Sequence, residues 1–256
     1  VNPLSGGAVR LDWREIGSKA GRASGEVVEE AFVTLYLNGH ELVTIMATPL
    51  QLDALGLGFL ANEGLIMGMD AVDHVHISQE SCCVDVWTRH AVVVPERRVI
   101  TSGCGGGVTF IDQRLGIDPL EMDLQIDSGR LHEVFNLLQQ KDSLYARARG
   151  VHTAGVTDGE QILAVAEDVG RHNTVDKVAG LCLQNGITTH GRMLLTTGRI
   201  SSEMLTKAAR MGCPIVASRN SPTSLSVELA EELNITLIGY VRRSSMRVYT
   251  HPERVS

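Results

Sequence analysis

Cys104 lies in Ser102-Gly-Cys-Gly-Gly-Gly107, a run with almost no side chains to shield a thiol. Glycine lets another backbone approach closely, and the thiolate is the attacking species in sulfur chemistry. The run therefore suits sulfur transfer; the alternative is that Cys104 merely follows a strand and tucks its sulfur inward. The other four cysteines offer less. Cys82 and Cys83 are neighbours at a strand start, where successive side chains point to opposite faces, so joint chemistry is not expected. Cys182 ends an apolar helical face and Cys213 precedes Pro214, and both read as core thiols. Five cysteines, an odd number, without a secretion signal point to reduced thiols and not to a disulfide framework.

Four other segments share a second chemistry: 167–177 (EDVGRHNTVDK), 197–203 (TGRISSE), 218–223 (SRNSPT) and 240–245 (YVRRSS). Each joins at least one Arg to small hydroxyl or amide residues, and the first two add Gly. Backbone N–H groups at a helix start and hydroxyl donors suit phosphate oxygens, and the helix dipole adds to the attraction. Arginine supplies a planar donor fork for a phosphate or a purine edge. The candidates are Arg171, His172 and Asn173; Thr197, Gly198, Arg199, Ser201 and Ser202; Ser218 and Arg219; and Tyr240, Val241, Arg242, Arg243, Ser244 and Ser245. Glu167 and Asp168 are placed either to accept from a base or sugar or to pair with Arg171. Any one such loop is ordinary, because Ser and Thr cap helices and a strand-end Arg is commonly solvated. Four together predict a large, phosphate-bearing ligand.

Other chemistries are disfavoured. There is no C-x-x-C, no H-E-x-x-H and no C-x₂-C…H-x₃-H, so neither structural nor catalytic zinc is expected, and no metal ligands are assigned. A net charge of −7 argues against a broad footprint on nucleic acid. No stretch reaches the roughly 18–20 apolar residues that span a bilayer, and the first residues lack the charged start and apolar core of a signal peptide. A cytoplasmic protein without membrane contacts is expected.

These residues need a frame. Residues 33–47 are rich in β-branched side chains and interrupted by Asn38-Gly39, which predicts a hairpin with a type I′ turn. A helix over 50–65 contains Gly56, Gly58 and Gly64, which either permit close packing or make it irregular. Strands are expected at 73–77, 83–87 and 99–101, and a helix at 128–140 with Asp127 or Ser128 as its cap. From 152 the chain alternates: a hairpin across Asp158-Gly159 (152–157 and 161–167), a helix at 171–184, strand 193–197, helix 201–211, strand 214–218, helix 223–233, strand 235–240 and a last strand 246–250. That alternation is the mark of an α/β fold with a mainly parallel sheet, whose ligands gather beyond the carboxyl ends of the strands. Residues 1–127 form a smaller β-rich part bearing the Cys104 loop, and 128–256 the α/β cofactor-binding core, with the two free to pack as one domain.

Several segments resemble the FdhD formate dehydrogenase accessory sulfurtransferases: GRHNTVDK (170–177), TTGRISSEMLTKAARMGCPIVASRNSPT (196–223), LAEELNITLIGYVR (229–242), TSGCGGG (101–107) and GVHTAG (150–155). The resemblance runs from about Thr34 onward. It implies a cytidine-deaminase-like three-layer α/β core, a homodimer, and transfer of persulfide sulfur from a cysteine desulfurase to the molybdenum cofactor, bis-molybdopterin guanine dinucleotide, for a formate dehydrogenase apoenzyme. It maps the persulfide carrier onto Cys104 and the cofactor, or guanine nucleotides as its analogues, onto the Arg171, 197–202, Arg219 and 240–245 segments. Two positions depart from the family pattern. Gly107 stands where many members have the second cysteine of a C-x-x-C, so a resolving thiol in that loop is unavailable, although a persulfide relay needs only one. Arg243-Ser244-Ser245 stands where the family tends towards glycines and an Arg. The alternative function is a molybdenum-cofactor chaperone without sulfur transfer; a zinc deaminase on the same fold is disfavoured by the missing cysteine ligands.

Overall fold

The computed structural model describes residues 6–18, 20–78, 80, 82–94, 116–121, 124–138 and 142–256, with the backbone of 99–100 and 108–109. Cys104 and the rest of the 101–107 loop lie outside the described residues.

Among the described residues the first half builds three β units. A ribbon that the sequence pattern does not single out pairs β1 (Ala8–Glu15) with β2 (Gly21–Val28). The expected hairpin follows as β3 (Ala31–Leu37) and β4 (His40–Ala47), with Asn38 at φ 53° and Gly39 at φ 77°, the positive values a type I′ turn demands. Next come α1 (Leu52–Asn62), β5 (Val72–Ser78) and β6 (Cys83–Thr88), giving a four-stranded sheet in the order β4-β3-β6-β5. The two-residue strands β7 (Val99–Ile100) and β8 (Val108–Thr109) pair with each other.

In the second half, α2 (Ser128–Leu137) starts at Asp127, whose carboxylate accepts from the Arg130 N–H at 2.8 Å. A short α3 (Leu144–Ala148) precedes the hairpin β9 (His152–Thr157) and β10 (Ile162–Asp168). Then follow α4 (Arg171–Gln184), β11 (Met193–Thr196), α5 (Ser202–Arg210), β12 (Ile215–Ser218), α6 (Ser224–Glu232), β13 (Thr236–Arg242) and β14 (Ser245–Val248). Thr223 and Ser226 close a capping box at the start of α6, each hydroxyl accepting from the other residue's N–H.

These strands form one sheet in the order β10-β9-β11-β12-β13-β14. It is mixed, which corrects the expectation of a mainly parallel sheet: only β11–β12 and β12–β13 are parallel. The tight turn after β9 inserts that strand antiparallel between β10 and β11, and the chain's return makes β14 antiparallel as well. Since β10 and β11 both oppose β9, the strands β10 to β13 all run the same way. Their four carboxyl ends meet one edge. Strand alternation divides the core: Met193 and Leu195 pack with Leu131, Val134 and Phe135 of α2, and Leu194 packs against α4, α5 and α6 on the other face.

Helix α1 is buried nearly all round because it lies between the four-stranded sheet and α4. Its glycines face these two neighbours. A Cβ on Gly56 would lie 2.7 Å from the Val84 side chain, one on Gly58 only 1.7 Å from the Asp176 carbonyl oxygen, and one on Gly180 of α4 1.9 Å from the Ala54 carbonyl oxygen. Close packing is thus why glycine occupies these helical sites.

Charges are buried around the same contact. Lys177, fully buried, donates to Asp168 at 2.6 Å and to the Thr48 carbonyl at 2.9 Å. Asp168 also accepts from the N–H groups of Thr48 and Gly170 and from the Asn173 amide. Lys207 of α5 donates to Asp176 at 2.6 Å, lies 3.5 Å from Glu203, and sits 5.9 Å from the centre of the Phe59 ring of α1. Burial works against its charge, but Asp176 and Glu203 outweigh it and hold Lys207 protonated. The Asn62 amide closes the arrangement by donating to Asp176 at 2.8 Å.

Gly58→Ala and Gly180→Ala should each cost at least about 3 kcal/mol, the upper range for overpacking, because the obstructing atoms are backbone. Gly21→Ala, where an added Cβ meets nothing within 4 Å, should stay within about 0.5 kcal/mol in the same urea titrations. Equal costs at all three positions would remove helix contact as the reason for the glycines.

Candidate functional site

The common strand edge carries every described candidate residue, and the loops there are tied into one unit. Thr153 and Thr197 exchange bonds: the Thr153 N–H donates to the Thr197 hydroxyl at 2.9 Å, and the Thr197 N–H to the Thr153 carbonyl at 2.9 Å. The Ser218 hydroxyl donates to the Gly198 carbonyl at 2.6 Å and accepts from the Asn220 N–H at 2.9 Å. The Tyr240 N–H donates to the Asn220 carbonyl at 3.1 Å, and Arg242 donates through Nη1 to the Arg219 carbonyl at 2.5 Å. Neighbouring loops thus hold each other in place before any ligand is present.

The starts of α4, α5 and α6 follow these strand ends. Gly170 stands at the cap of α4 with no side chain to occupy the first N–H groups. Ser201 caps α5, accepting from the Met204 N–H at 3.4 Å. Gly198 brings the loops together: a Cβ there would lie 2.8 Å from that of Arg171 and 3.5 Å from His152 Nδ1. His152 is held below the usual histidine range by burial and then by the Arg171 and Arg199 charges, with Asp168 opposing. His172 is pushed down to about 4, chiefly by burial, with Lys207, Arg171 and His152 adding to the effect and Glu203 resisting it.

Neutral His172 contacts the Ser201 hydroxyl through Nε2 at 3.0 Å and lies 3.6 Å from the Glu203 carboxylate. The Glu203 contact is therefore not an ion pair. A carboxylate beside Nε2 favours the tautomer with the hydrogen on that nitrogen, since a lone pair would face a negative charge. Nε2–H then donates to Ser201, which already accepts from Met204. The Ser201 hydroxyl hydrogen remains for an acceptor outside this pair.

The arginines complete a cationic margin. Arg219 has its guanidinium 5.9 Å from the Phe135 ring centre, and its Nε has no hydrogen-bond partner among the described residues. Burial and then Arg242 lower its pKa. Arg199, Arg242, Arg243, Ser244 and Ser245 are exposed, while Thr197, Ser201, Ser202 and Tyr240 are half-buried. Tyr240 adopts a left-handed φ of 53° with Arg247 over its ring at 4.3 Å. Phosphate oxygens suit such a margin of guanidinium, hydroxyl and backbone donors.

Some candidates serve the fold with the groups named for ligand contact. The Asn173 amide donates to the Met46 carbonyl and to Asp168, both at 2.8 Å, and the Ser218 hydroxyl joins the loops. Val241 packs in the core on the α2 side. Glu167 and Asp168 do not take the expected roles. Glu167 accepts from the Leu144 and Tyr145 N–H groups at the start of α3, and Asp168 is sealed against Lys177 and not paired with Arg171. Cys182 and Cys213 are core thiols, as their settings imply, and burial raises both, Cys182 to about 11. His152 is the residue the strand-end rule misses, because it starts an antiparallel strand. Its signal lay in the GVHTAG segment, once β9 is known to sit between β10 and β11.

The six-stranded sheet and its Arg- and hydroxyl-bearing strand ends define an α/β protein with an anion-suited edge. The FdhD/NarQ family model matches residues 28–256, and the chain belongs to that family. It is 37% identical over 254 residues to the sulfur carrier protein FdhD of Bacillus subtilis (strain 168), covering 97% of each chain. It is 33% identical to the protein of the same description from Shouchella clausii (strain KSM-K16), covering 96% of each. A crystal structure assigned as a formate dehydrogenase accessory protein from Desulfotalea psychrophila superposes with a TM-score of 0.82 at 26% identity, over 98% of this chain and all of that one.

The His172 environment makes a pH prediction. Its folded pKa of about 4 lies below the ordinary 6.5, so between these values the unfolded chain binds more protons and stability falls as pH drops from 6.5 towards 4. The slope from this group approaches ~1.4 kcal/mol per pH unit. His172→Gln should flatten the stability profile over that window in urea titrations and leave it unchanged above pH 7. An identical profile in the variant would remove His172 as the source.

Proposed function

We propose that the protein is a sulfur carrier in formate dehydrogenase maturation, moving persulfide sulfur from a cysteine desulfurase to bis-molybdopterin guanine dinucleotide. The observation that carries this reading is the meeting of four Arg-containing, hydroxyl-rich loops on one sheet edge in a chain of the FdhD/NarQ family. The curated relatives are sulfur carriers by name, and the solved relative is a formate dehydrogenase accessory protein by description. The same resemblance supports a cytidine-deaminase-like core, a homodimer and action in the cytoplasm.

In this reading the Cys104 thiolate attacks the terminal sulfur of the desulfurase persulfide. The S–S bond of the donor breaks, its cysteine leaves as thiolate, and Cys104 carries the sulfur. On transfer the acceptor would supply the electron pair of its new bond to the outer sulfur, the S–S bond of the Cys104 persulfide would break, and Cys104 would return as thiolate. Arg171, Arg199 and Arg219, with the Ser201 hydroxyl and the 240–245 turn, hold the guanine nucleotide ends. A single thiol suffices, so Gly107 does not block the relay.

Incubation with desulfurase and cysteine should add the mass of one sulfur atom, and Cys104→Ala should abolish the adduct. An equally abundant adduct in that variant would take Cys104 out of the mechanism. Full formate dehydrogenase activation by Cys104→Ala would favour a cofactor chaperone. Arg199→Ala should weaken GDP binding about tenfold, the worth of one charge-assisted contact, as read by calorimetry; unchanged affinity would exclude that loop from the nucleotide site.

A further inference from the structure

A second site lies at the opposite end of α5 from the loop edge. A cavity of about 340 Å³ is lined by Ile66 after α1, Ile117 and Leu120 of the stretch before α2, Leu183 and Ile187 at the end of α4, and Met211 after α5. Its volume falls at the lower end of the range for small-molecule sites, and its side chains are mostly apolar, with Asn62, Asp118 and Thr189 among the polar ones. Among the described residues one cation lines it, Arg210 in the last turn of α5.

Arg210 is half-buried and makes no hydrogen bond or ion pair with any described residue. Its acidic neighbours do not supply one. Asp118 on the rim is exposed and not paired with it, and Glu63 acts on it only through its field. Burial lowers the Arg210 pKa in spite of Glu63, as expected of a guanidinium without a contacting anion. A partly desolvated guanidinium without an anion is costly, and a carboxylate in contact relieves that cost. Cys182 contributes to the wall as a packing group, since burial raises its thiol to about 11.

We propose that this cavity binds a small amphiphilic carboxylate, with its hydrocarbon body against the apolar wall and its carboxylate on Arg210. The site is independent of the sulfur-transfer reading and uses none of its residues. With a net charge of −7 the protein repels anions at large, so affinity for a carboxylate has to come from a local cation.

Calorimetry with octanoate, octan-1-ol and acetate on the full chain tests this. Octanoate should bind saturably with one site per chain; octanol, which lacks the charge-assisted contact, and acetate, which lacks the hydrocarbon body, should each bind at least about tenfold more weakly. Arg210→Met should reduce octanoate to the level of octanol and leave octanol unchanged. Equal affinity for octanoate and octanol, no saturable octanoate binding, or undiminished binding in a folded Arg210→Met variant would each overturn the proposal. If that variant does not fold, the three ligands on the unaltered protein still decide.

Discussion

The contact of α1 with α4 is close enough to be backbone against backbone, and much of the molecule depends on it. Gly58 and Gly180 leave no room for even a methyl group. The consequence is that α1, which packs on the four-stranded sheet, lies directly against α4, which packs on the six-stranded one. Polar groups trapped near so tight a contact need partners, since removing one member of a buried pair leaves an uncompensated charge. The pairs Lys177–Asp168 and Lys207–Asp176 meet that requirement, with Thr48 and Asn62 reaching in from the first half of the chain.

This arrangement also sets the candidate site. Asp168 ends β10, and its bonds to Thr48, Gly170, Asn173 and Lys177 fix the turn from that strand into α4. Arg171 and His172 emerge from that turn. Glu203 lies between Lys207 and His172, so the charge that completes the buried cluster also biases the imidazole tautomer facing Ser201. Anion-suited groups at the edge are therefore backed by a rigid charged interior, the kind of support that keeps a binding constellation in place.

Much of this was legible locally. Asn38-Gly39 specified a hairpin because both residues accept positive φ. The α4 helix begins and ends at the residues expected from its pattern, 171 and 184, and Asp127 and Ser201 cap as their types predict. The four loops could be picked out by composition, and the strand-end rule brought them to one edge. The ribbon of β1 and β2 was not legible, because its strands remain largely exposed and so lack the alternation that burial imposes.

The sequence by itself determined the local elements, the cationic and hydroxyl content of the loops, and the family. Those signals act over a turn of helix or a pair of strands, and a residue's type carries them. Tertiary structure alone decided which polar groups of GRHNTVDK serve the interior. Asn173 and Lys177 answer to Met46 and Thr48, more than a hundred residues earlier. Strand order decided that His152 joins Arg171 and Gly198, since β9 enters the sheet antiparallel between β10 and β11. Pairings at such separations leave no period or composition in the chain. They exist only when the packed backbone brings the partners within hydrogen-bonding distance.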